Sequence, residues 1–265
     1  MSLLIDDLSF SYGPHAVLSG LAAGPLERGA LTALVGPNGS GKSTLFRCFS
    51  GTAKPQSGRI VLDAQDLATF KDSERSRRVF HLAQDLSARA ALTVFEVVLL
   101  ARKSLTGGFN LRAGLCDLRM VQNVLGSLEL EALSQRPIGA LSGGQRQLVG
   151  IAQALVREPD VLLLDEPTSA LDVRRQLEVL QTVLRVTRER SMITLVALHD
   201  LSLAARFADR LLVLKEGRIA EEGEPEDTLR KHATAEAYRV GLHLERSTRG
   251  SLLVEPYLSS LRAAE

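Results

Sequence analysis

The segment Gly36-Pro37-Asn38-Gly39-Ser40-Gly41-Lys42-Ser43-Thr44 decides the fold of this chain. It follows an apolar run at residues 31–35 and precedes a helix-like stretch at 45–49. In this strand–loop–helix context, glycines let the backbone wrap around phosphate groups, and the helix N-terminus adds partial positive charge. Lys42 can then reach the β- and γ-phosphates, while the Ser43 hydroxyl can ligate Mg²⁺. The whole segment is therefore predicted to line a nucleoside triphosphate, and a glycine-rich turn that matches by chance is the disfavoured alternative.

The composition argues against several classes of protein. With 265 residues, of which 45% are hydrophobic, the chain can form one large α/β domain or one domain with a smaller lobe. Lysine and arginine total 32 against 31 acidic residues, and aromatics make up 4%, so we expect no nucleic-acid partner. Two cysteines, Cys48 and Cys116, are too few for a disulfide framework. Cys48 lies in the apolar register of the helix after the glycine-rich loop, which predicts core packing.

The sequence shows neither a targeting nor a membrane-spanning pattern. The N-terminus lacks the basic segment followed by an apolar core that marks a signal peptide. No stretch approaches the roughly 20 apolar residues that span a bilayer, and the most apolar region, 92–101, is interrupted by Glu96. We therefore expect a soluble, cytoplasmic protein that could still dock onto a membrane protein.

Hydrophobic periodicity predicts an α/β protein with an inserted helical part. Strands are predicted at residues 3–10, 17–18, 58–63, 79–83, 161–164, 193–198 and 211–214. Helices are predicted at residues 93–103, 117–131, 143–156, 173–190 and 201–208. Gly217 is predicted to turn a hairpin into 218–220, and short helices with a hairpin at Arg249-Gly250 are predicted after Pro225. We interpret residues 1–265 as a single domain whose helical subdomain covers about 88–158.

A second segment carries two carboxylates and indicates which chemistry the nucleotide site performs. The apolar run 162–164 is followed by Asp165-Glu166-Pro167, so that two carboxylates stand at the end of a buried strand. Beside a phosphate-binding loop, Asp165 can hold Mg²⁺, usually through water. Glu166 would then lie close to the γ-phosphate, where it could polarise the attacking water as a general base.

A third segment, Leu141-Ser142-Gly143-Gly144-Gln145-Arg146-Gln147, combines a helix cap with exposed backbone. Ser142 is a good N-cap for the helix predicted at 143–156. Two glycines at a helix N-terminus expose N–H groups and form another anion site. On local physics alone, a flexible capped helix start explains the segment equally well.

Together these segments resemble the ATP-binding cassette (ABC) ATPases, and the resemblance covers essentially the whole chain. Leu-Ser-Gly-Gly-Gln at 141–145 is similar to the family signature. By the same resemblance, Tyr12 would stack on adenine, and Gln84 would contact Mg²⁺ and sense the γ-phosphate. Asp172 belongs to a segment, 169–172, that is similar to the D-loop, which communicates between the two sites of a dimer. His199 resembles the switch histidine near the γ-phosphate.

The resemblance implies a fold and a mechanism. The fold is a P-loop NTPase core of the α/β class, with an N-terminal antiparallel β subdomain and an inserted α-helical subdomain. ATP and Mg²⁺ are the implied cofactors, with Ser43, Gln84 and Asp165 as metal ligands and with Glu166, His199, Gln84 and Lys42 in catalysis. The resemblance also implies that ATP is sandwiched between the glycine-rich loop (P-loop) of one subunit and Ser142, Gly143, Gly144 and Gln145 of the other, so we expect a homodimer.

The chain lacks the membrane-spanning segments of ABC proteins that carry their permease on the same chain. We therefore expect separate transmembrane permease subunits, docked near Gln84 and residues 86–102, and a peripheral location at the cytoplasmic face of the inner membrane. A periplasmic or extracellular substrate-binding protein would take part indirectly.

The segments at 91–98 and 199–210 resemble ATPases that import iron-siderophores, haem or cobalamin. Residues 99–103 and Leu82-Ala83 depart from the pattern of many siderophore-type members. The alternatives are an exporter ATPase and a soluble ABC ATPase that acts on DNA, ribosomes or iron–sulfur assembly. A non-hydrolysing cassette is disfavoured because Glu166 and His199 are both present.

Overall fold

The computed structural model describes residues 2–82, 92–104, 114–169 and 171–258. The strands are β1 (Ser2–Tyr12), β2 (His15–Glu27), β3 (Leu31–Val35), β4 (Ser57–Leu62), β5 (Gln65–Asp66), β6 (Val79–Leu82), β7 (Val161–Asp165), β8 (Ile193–Ala197), β9 (Arg210–Lys215), β10 (Arg218–Gly223), β11 (Gly241–Arg246) and β12 (Leu252–Tyr257). The helices are α1 (Lys42–Ser50), α2 (Asp72–Arg78), α3 (Val94–Lys103), α4 (Leu115–Ser127), α5 (Gly143–Leu155), α6 (Val173–Glu189), α7 (Leu201–Phe207), α8 (Pro225–Arg230) and α9 (His232–Tyr238).

A six-stranded sheet forms the centre of the structure, in the order β10-β9-β3-β8-β7-β6. The neighbours β9-β3-β8-β7-β6 pair in parallel, and only β10 pairs antiparallel, with β9. All residues of β3 and β8 are buried, as is nearly all of β7. These strands are mostly apolar, apart from the buried Thr32 and Thr194, because parallel strands covered on both faces need no polar side.

The second sheet is antiparallel, in the order β2-β1-β4-β5. Helix α1 lies among residues of both sheets, and the side chains of Leu45, Phe46 and Phe49 are completely buried there. Cys48 packs in the same cluster as predicted, and burial raises the pKa of its thiol to about 11. The α/β class with an N-terminal antiparallel sheet is thus confirmed.

Strand β2 is much longer than the short strand predicted to begin at residues 17–18. It extends over His15–Glu27 and pairs with β1 along its length, with several irregularities of register. The stretch 19–24 contains Ser, Gly and Ala, which have little intrinsic preference for strands. The pairing with β1 therefore outweighs local preference in this segment.

The helical part is formed by α3, α4 and α5, which pack on one another. Thr93 caps α3 in a capping box with Glu96, as the boundary predicted from sequence requires. The prediction that the second helix continues to residue 131 is wrong, because α4 ends at Ser127. Glu129 adopts a left-handed conformation with φ 57°, which stops the helix and lets the chain turn. The division into one domain with a helical subdomain at 88–158 stays a prediction.

The C-terminal part contains α8, α9 and the hairpin β11–β12, as predicted in outline. The turn at the predicted Arg249-Gly250 is closed by a hydrogen bond from the Ser247 amide to the Ser251 carbonyl, 2.9 Å. The hairpin packs on α7, where Ser202 Oγ accepts a hydrogen bond from the Val254 amide, 3.1 Å. Among the described residues, none of the helices has the length and apolar character needed to cross a bilayer.

Candidate nucleotide-binding site

The glycine-rich loop joins the carboxyl end of β3 to the first turn of α1. Two of its glycines have no room for a side chain. A Cβ on Gly36, whose φ is 152°, would lie 2.2 Å from the Leu214 carbonyl oxygen. A Cβ on Gly41, whose φ is 111°, would lie 2.9 Å from Cδ2 of Leu18. The loop conformation therefore requires glycine at both positions.

Lys42 is the first residue of α1, directly after the loop, and is 6% exposed. Its ammonium donates hydrogen bonds to the carbonyl oxygens of Gly36 and Pro37, at 2.8 and 3.1 Å. Burial lowers the pKa of the ammonium, and the carboxylates of Glu166 and Asp165 raise it in opposition. A cation held only by carbonyl dipoles and nearby carboxylates is well placed to exchange these partners for phosphate oxygens.

The first turn of α1 adds a second source of positive potential. Gly41 occupies the N-cap position and provides no side-chain cap, so the first N–H groups of α1 are not used by a capping side chain. Such N–H groups and the helix dipole favour an anion. The Ser43 side chain in this turn is exposed, whereas Thr44 is buried. Ser43 therefore fits the predicted role of a hydroxyl that can reach a metal ion beside the phosphates.

Asp165 is the last residue of β7, in register with Ala197 of β8. Its Oδ1 atom is buried and has no hydrogen-bond partner in the described part of the chain. A buried carboxylate oxygen without a partner is costly unless it meets a cation or a donor. Magnesium ions prefer oxygen ligands and usually retain several waters. The residues present therefore fit Mg²⁺, for which Asp165 and Ser43 offer oxygen ligands.

Glu166 and His199 are brought together from the ends of two neighbouring strands. His199 follows β8 directly after Leu198, and its Nε2 atom lies 2.5 Å from Oε1 of Glu166. Glu166 itself has a positive φ of 50°, which turns the chain sharply away from β7. Asp200 caps α7 by accepting hydrogen bonds from the amides of Ser202 and Leu203. Both partners of the pair are thus held by well-defined backbone turns.

Tyr12 ends β1 and is 44% exposed. Its hydroxyl accepts a hydrogen bond from Nη1 of Arg47, 3.0 Å away on α1, and its ring packs edge-on against Phe10. Arg47 thus links the aromatic ring to the helix that follows the glycine-rich loop. An exposed ring at this place fits the predicted stacking on a base.

The predicted signature residues lie at the start of α5. Ser142 caps the helix by accepting from the Gln145 amide, and the Gln145 side chain accepts from the Ser142 amide. Ser142 and Gly143 are exposed, whereas Gly144 is buried against the side chain of Arg175. Within the described ranges, no hydrogen bond or ion pair joins residues 142–145 to the glycine-rich loop.

Of the remaining predicted site residues, Asp172 is exposed and caps α6 through a hydrogen bond from the Arg175 amide, 2.9 Å. Gln84 lies outside the described residues. Two residues near the site were not predicted: Arg47, which contacts Tyr12, and His81, a polar residue in strand β6. The signal available for His81 was its place in the register of β6, on the same side as Val79.

Comparison with known proteins identifies the family. The ABC transporter family model matches residues 23–169, more than half of the chain. An uncharacterized ABC transporter ATP-binding protein of Methanocaldococcus jannaschii is 35% identical over 97% of this chain and 98% of its own. The petrobactin import ATP-binding protein FpuC of Bacillus anthracis is 40% identical over 77% of this chain and 75% of its own. The hemin import ATP-binding protein HmuV of Rhodopseudomonas palustris is 38% identical over 90% of this chain and 89% of its own.

Solved structures agree with this assignment. A transporter assigned to the metal-chelate type, in an inward-facing conformation, superposes with a TM-score of 0.83 at 26% identity, covering 98% of this chain and 99% of the other. An ATP-binding cassette in a dimeric post-hydrolysis state, bound to ADP and phosphate, gives a TM-score of 0.72 at 26% identity, covering 84% and 98%. The chain therefore belongs to the ABC transporter family, as one of its ATP-binding subunits that hydrolyse ATP.

Proposed function

We propose that this ATPase powers the import of a metal chelate, such as an iron-siderophore, haem or cobalamin, through a separate membrane-spanning permease. Three observations support the proposal: the petrobactin and hemin import relatives, the metal-chelate type transporter of similar fold, and the segments at 91–98 and 199–210. The observation that carries the underlying ATPase chemistry is the gathering of Lys42, Asp165 and the Glu166–His199 pair around one loop.

ATP would bind with its phosphates in the loop 36–44 and its adenine against Tyr12. The Lys42 ammonium would leave the carbonyl oxygens of Gly36 and Pro37 for the β- and γ-phosphates, so that charge pairing replaces weaker ion–dipole contacts. Ser43, Asp165 and Gln84 are the residues that would hold Mg²⁺, which when bound neutralises part of the phosphate charge.

Hydrolysis would use Glu166 and His199, which follow β7 and β8. Glu166 would accept a proton from the attacking water, which makes the water oxygen a better nucleophile toward the γ-phosphorus. His199, with its Nε2 atom at 2.5 Å, would hold the Glu166 carboxylate in one orientation. A base held in one orientation by its neighbour needs little reorganisation to meet the attacking water.

The second half of each site would come from another copy of this chain. Ser142 and Gly143 are exposed at a capped helix start, and Asp172 is exposed at the start of α6. Their accessibility supports a role in trans, because N–H groups at the N-terminus of α5 can bind the γ-phosphate of an ATP held in the glycine-rich loop of a facing subunit. The similar cassette solved as a dimer with ADP and phosphate supports the same arrangement.

A peripheral position at the cytoplasmic face of the membrane follows from this proposal, with permease subunits docked on the helical part. We further propose that residues 1–265 act as a single ATPase domain. A substrate-binding protein outside the membrane would deliver the chelate to the permease and would not contact this chain.

The proposal can be tested by capture from native membranes. Tagged Glu166→Gln protein, loaded with ATP and Mg²⁺, would be incubated with detergent-solubilised membranes, and the co-purifying proteins would be identified. The matched control is Lys42→Ala protein, which should not retain ATP. Recovery of a multi-spanning permease with the first bait, and less with the second, is the expected result.

The captured permease would then be reconstituted with the wild-type chain in vesicles. ATP-dependent uptake of an iron chelate supports the proposal, whereas ATP-dependent movement in the opposite sense identifies an exporter. Recovery of soluble partners alone from well-solubilised membranes would instead favour a soluble ABC ATPase.

A further inference from the structure

Two polar atoms without partners lie on the same face of neighbouring strands. The first is Oδ1 of Asp165 on β7, and the second is Nε2 of His81 on β6. Both atoms are buried, and neither has a hydrogen-bond partner in the described part of the chain. An imidazole nitrogen can donate and a carboxylate oxygen can only accept, so the two atoms have complementary needs.

The register of the sheet places the two side chains on the side of α1. Strands β6 and β7 are parallel and adjacent, with His81 opposite Leu163. Side chains alternate along a strand, so Asp165 projects to the same face as Leu163 and His81. Val79 and Leu163 belong to the cluster that packs around α1, which fixes the identity of that face.

The contacts of His81 agree with a position on the face of the sheet that α1 covers. The His81 ring packs edge-on against Phe46 of α1, with ring centroids 5.7 Å apart and an interplanar angle of 72°. Burial lowers the pKa of His81, the Asp165 carboxylate raises it and Arg47 lowers it further. The half-buried imidazole therefore packs against α1 and lies within electrostatic reach of Asp165.

We propose that His81 is a positioning residue that donates a hydrogen bond from Nε2 toward Oδ1 of Asp165 and so orients this carboxylate for Mg²⁺. A direct hydrogen bond, or one water between the two atoms, would satisfy both. Partners in the second shell of a metal site fix the direction of its ligands, and their loss commonly reduces metal affinity 10- to 100-fold. The inference rests on the proposed role of Asp165 as a metal ligand.

The test compares two replacements of His81 that differ in hydrogen bonding. His81→Phe keeps a ring against Phe46 but removes the donor, whereas His81→Gln places an amide N–H at about the reach of Nε2. The affinity for a fluorescent ATP analogue would be measured with Mg²⁺ and with EDTA, in the Glu166→Gln background, so that no turnover occurs. The measured quantity is the factor by which Mg²⁺ tightens nucleotide binding.

We expect His81→Phe to reduce the factor by which Mg²⁺ tightens nucleotide binding about tenfold, the lower end of the effect of losing a hydrogen-bond partner of a metal ligand. The affinity in EDTA should stay unchanged. His81→Gln should keep most of the tightening by Mg²⁺ that the wild-type residue gives. Phe80→Leu is the matched control, because Phe80 lies on the opposite face of β6 under Arg157 and does not approach Asp165. This control should leave the Mg²⁺ factor unchanged.

Two results would overturn the inference: an unchanged factor in His81→Phe, or equal losses in His81→Phe and His81→Gln. If His81→Phe fails to fold, His81→Asn replaces it, because its amide reaches only to the position of Nδ1 and should lose the factor. Asp165→Asn separates the inference from the proposed function. An unchanged factor in Asp165→Asn removes Asp165 as a metal ligand, whereas a loss there with no loss in His81→Phe refutes the role of His81 alone.

Discussion

The Nε2 atom of His199 and the Oε1 atom of Glu166 lie 2.5 Å apart, although the two residues follow different strands of the central sheet. At this distance the imidazole nitrogen and the carboxylate are in direct polar contact. The contact restricts the orientation of the Glu166 side chain. The pair forms at this place because the carboxyl ends of adjacent parallel strands β7 and β8 open at the same edge of the sheet.

Replacement of Glu166 by Gln should abolish turnover and retain ATP. The amide keeps the size of the side chain but cannot accept the proton of the attacking water, and loss of a general base commonly costs about 10²–10⁴-fold in rate. We expect a dimer to persist in ATP and Mg²⁺, measured by light scattering together with phosphate release. Unchanged turnover would remove Glu166 as the base.

Replacement of His199 by Ala should lower kcat with a smaller effect on the KM for ATP. The loss should be much smaller when it is measured on the slow residual turnover of the Glu166→Gln protein, because residues that act as a unit are not additive. The matched control is Arg206→Ala, which should leave kcat unchanged. Arg206 is an exposed residue on α7 whose guanidinium lies over the ring of Phe207. If the two losses in the double variant multiply instead, the hydrogen bond between His199 and Glu166 has no part in catalysis.

The local parts of the site could be predicted from the sequence, and its long-range geometry could not. The glycine-rich loop, the carboxylates after β7 and the cap of α5 all depend on residues that are neighbours in the chain. The distance between Glu166 and His199 depends on which strands pair, and the position of His81 relative to Asp165 depends on register. Periodicity gives a strand's buried face but not the residue that lies opposite it.

Two of the differences between the predicted and the observed elements have the same physical origin. Strand β2 continues through Ser, Gly and Ala residues because its partner β1 supplies the hydrogen bonds. Helix α4 stops at Ser127 although Leu128 and Leu130 continue an apolar pattern, since the left-handed turn at Glu129 redirects the chain while the leucines on either side of it stay buried. In each case tertiary contacts outweigh local preference.

Replacement of Lys42 by Ala should weaken ATP binding at least tenfold. Hydrogen bonds to charged groups contribute about 1.5–3 kcal/mol, and the ammonium is buried in the loop where the phosphates would lie. Equilibrium binding of a fluorescent ATP analogue measures the effect. Lys54→Ala, which removes an exposed lysine after α1, is the control and should bind normally. Intact affinity in Lys42→Ala would contradict the phosphate role.

Replacement of Ser142 by Arg should stop hydrolysis while an isolated subunit still binds ATP. Ser142 is exposed, and a bulky cation at the start of α5 would obstruct the surface that faces a second subunit. Mixing this variant with Lys42→Ala protein tests the sandwich directly. One of the two composite sites would then have an intact loop and an intact signature, so partial turnover should return. Full activity of Ser142→Arg alone would exclude the sandwich for this chain.

Replacement of Asp160 by Asn should lower the stability of the fold in a pH-dependent way. Asp160 accepts from Arg28 at 2.7 Å and from Arg78 at 2.6 Å, and both arginines also contact Asp63. This four-residue network joins the end of β2 and the turn after β4 to the start of β7. Burial raises the pKa of Asp160, but the hydrogen bonds from the two arginines outweigh burial and lower it.

A carboxylate with a lowered folded-state pKa contributes stability above its unfolded pKa of about 3.9, and this contribution is lost as the pH falls through the folded value. The free energy of unfolding in urea should therefore fall by about 1–3 kcal/mol in Asp160→Asn at pH 7, the range for a partly buried charged hydrogen bond. The difference from wild type should narrow below about pH 4 as the wild-type carboxyl protonates. Asp6→Asn breaks the exposed pair with Arg59 and should cost less than about 1 kcal/mol. A loss in Asp160→Asn that stays constant with pH would show that shape, and not charge, makes Asp160 important.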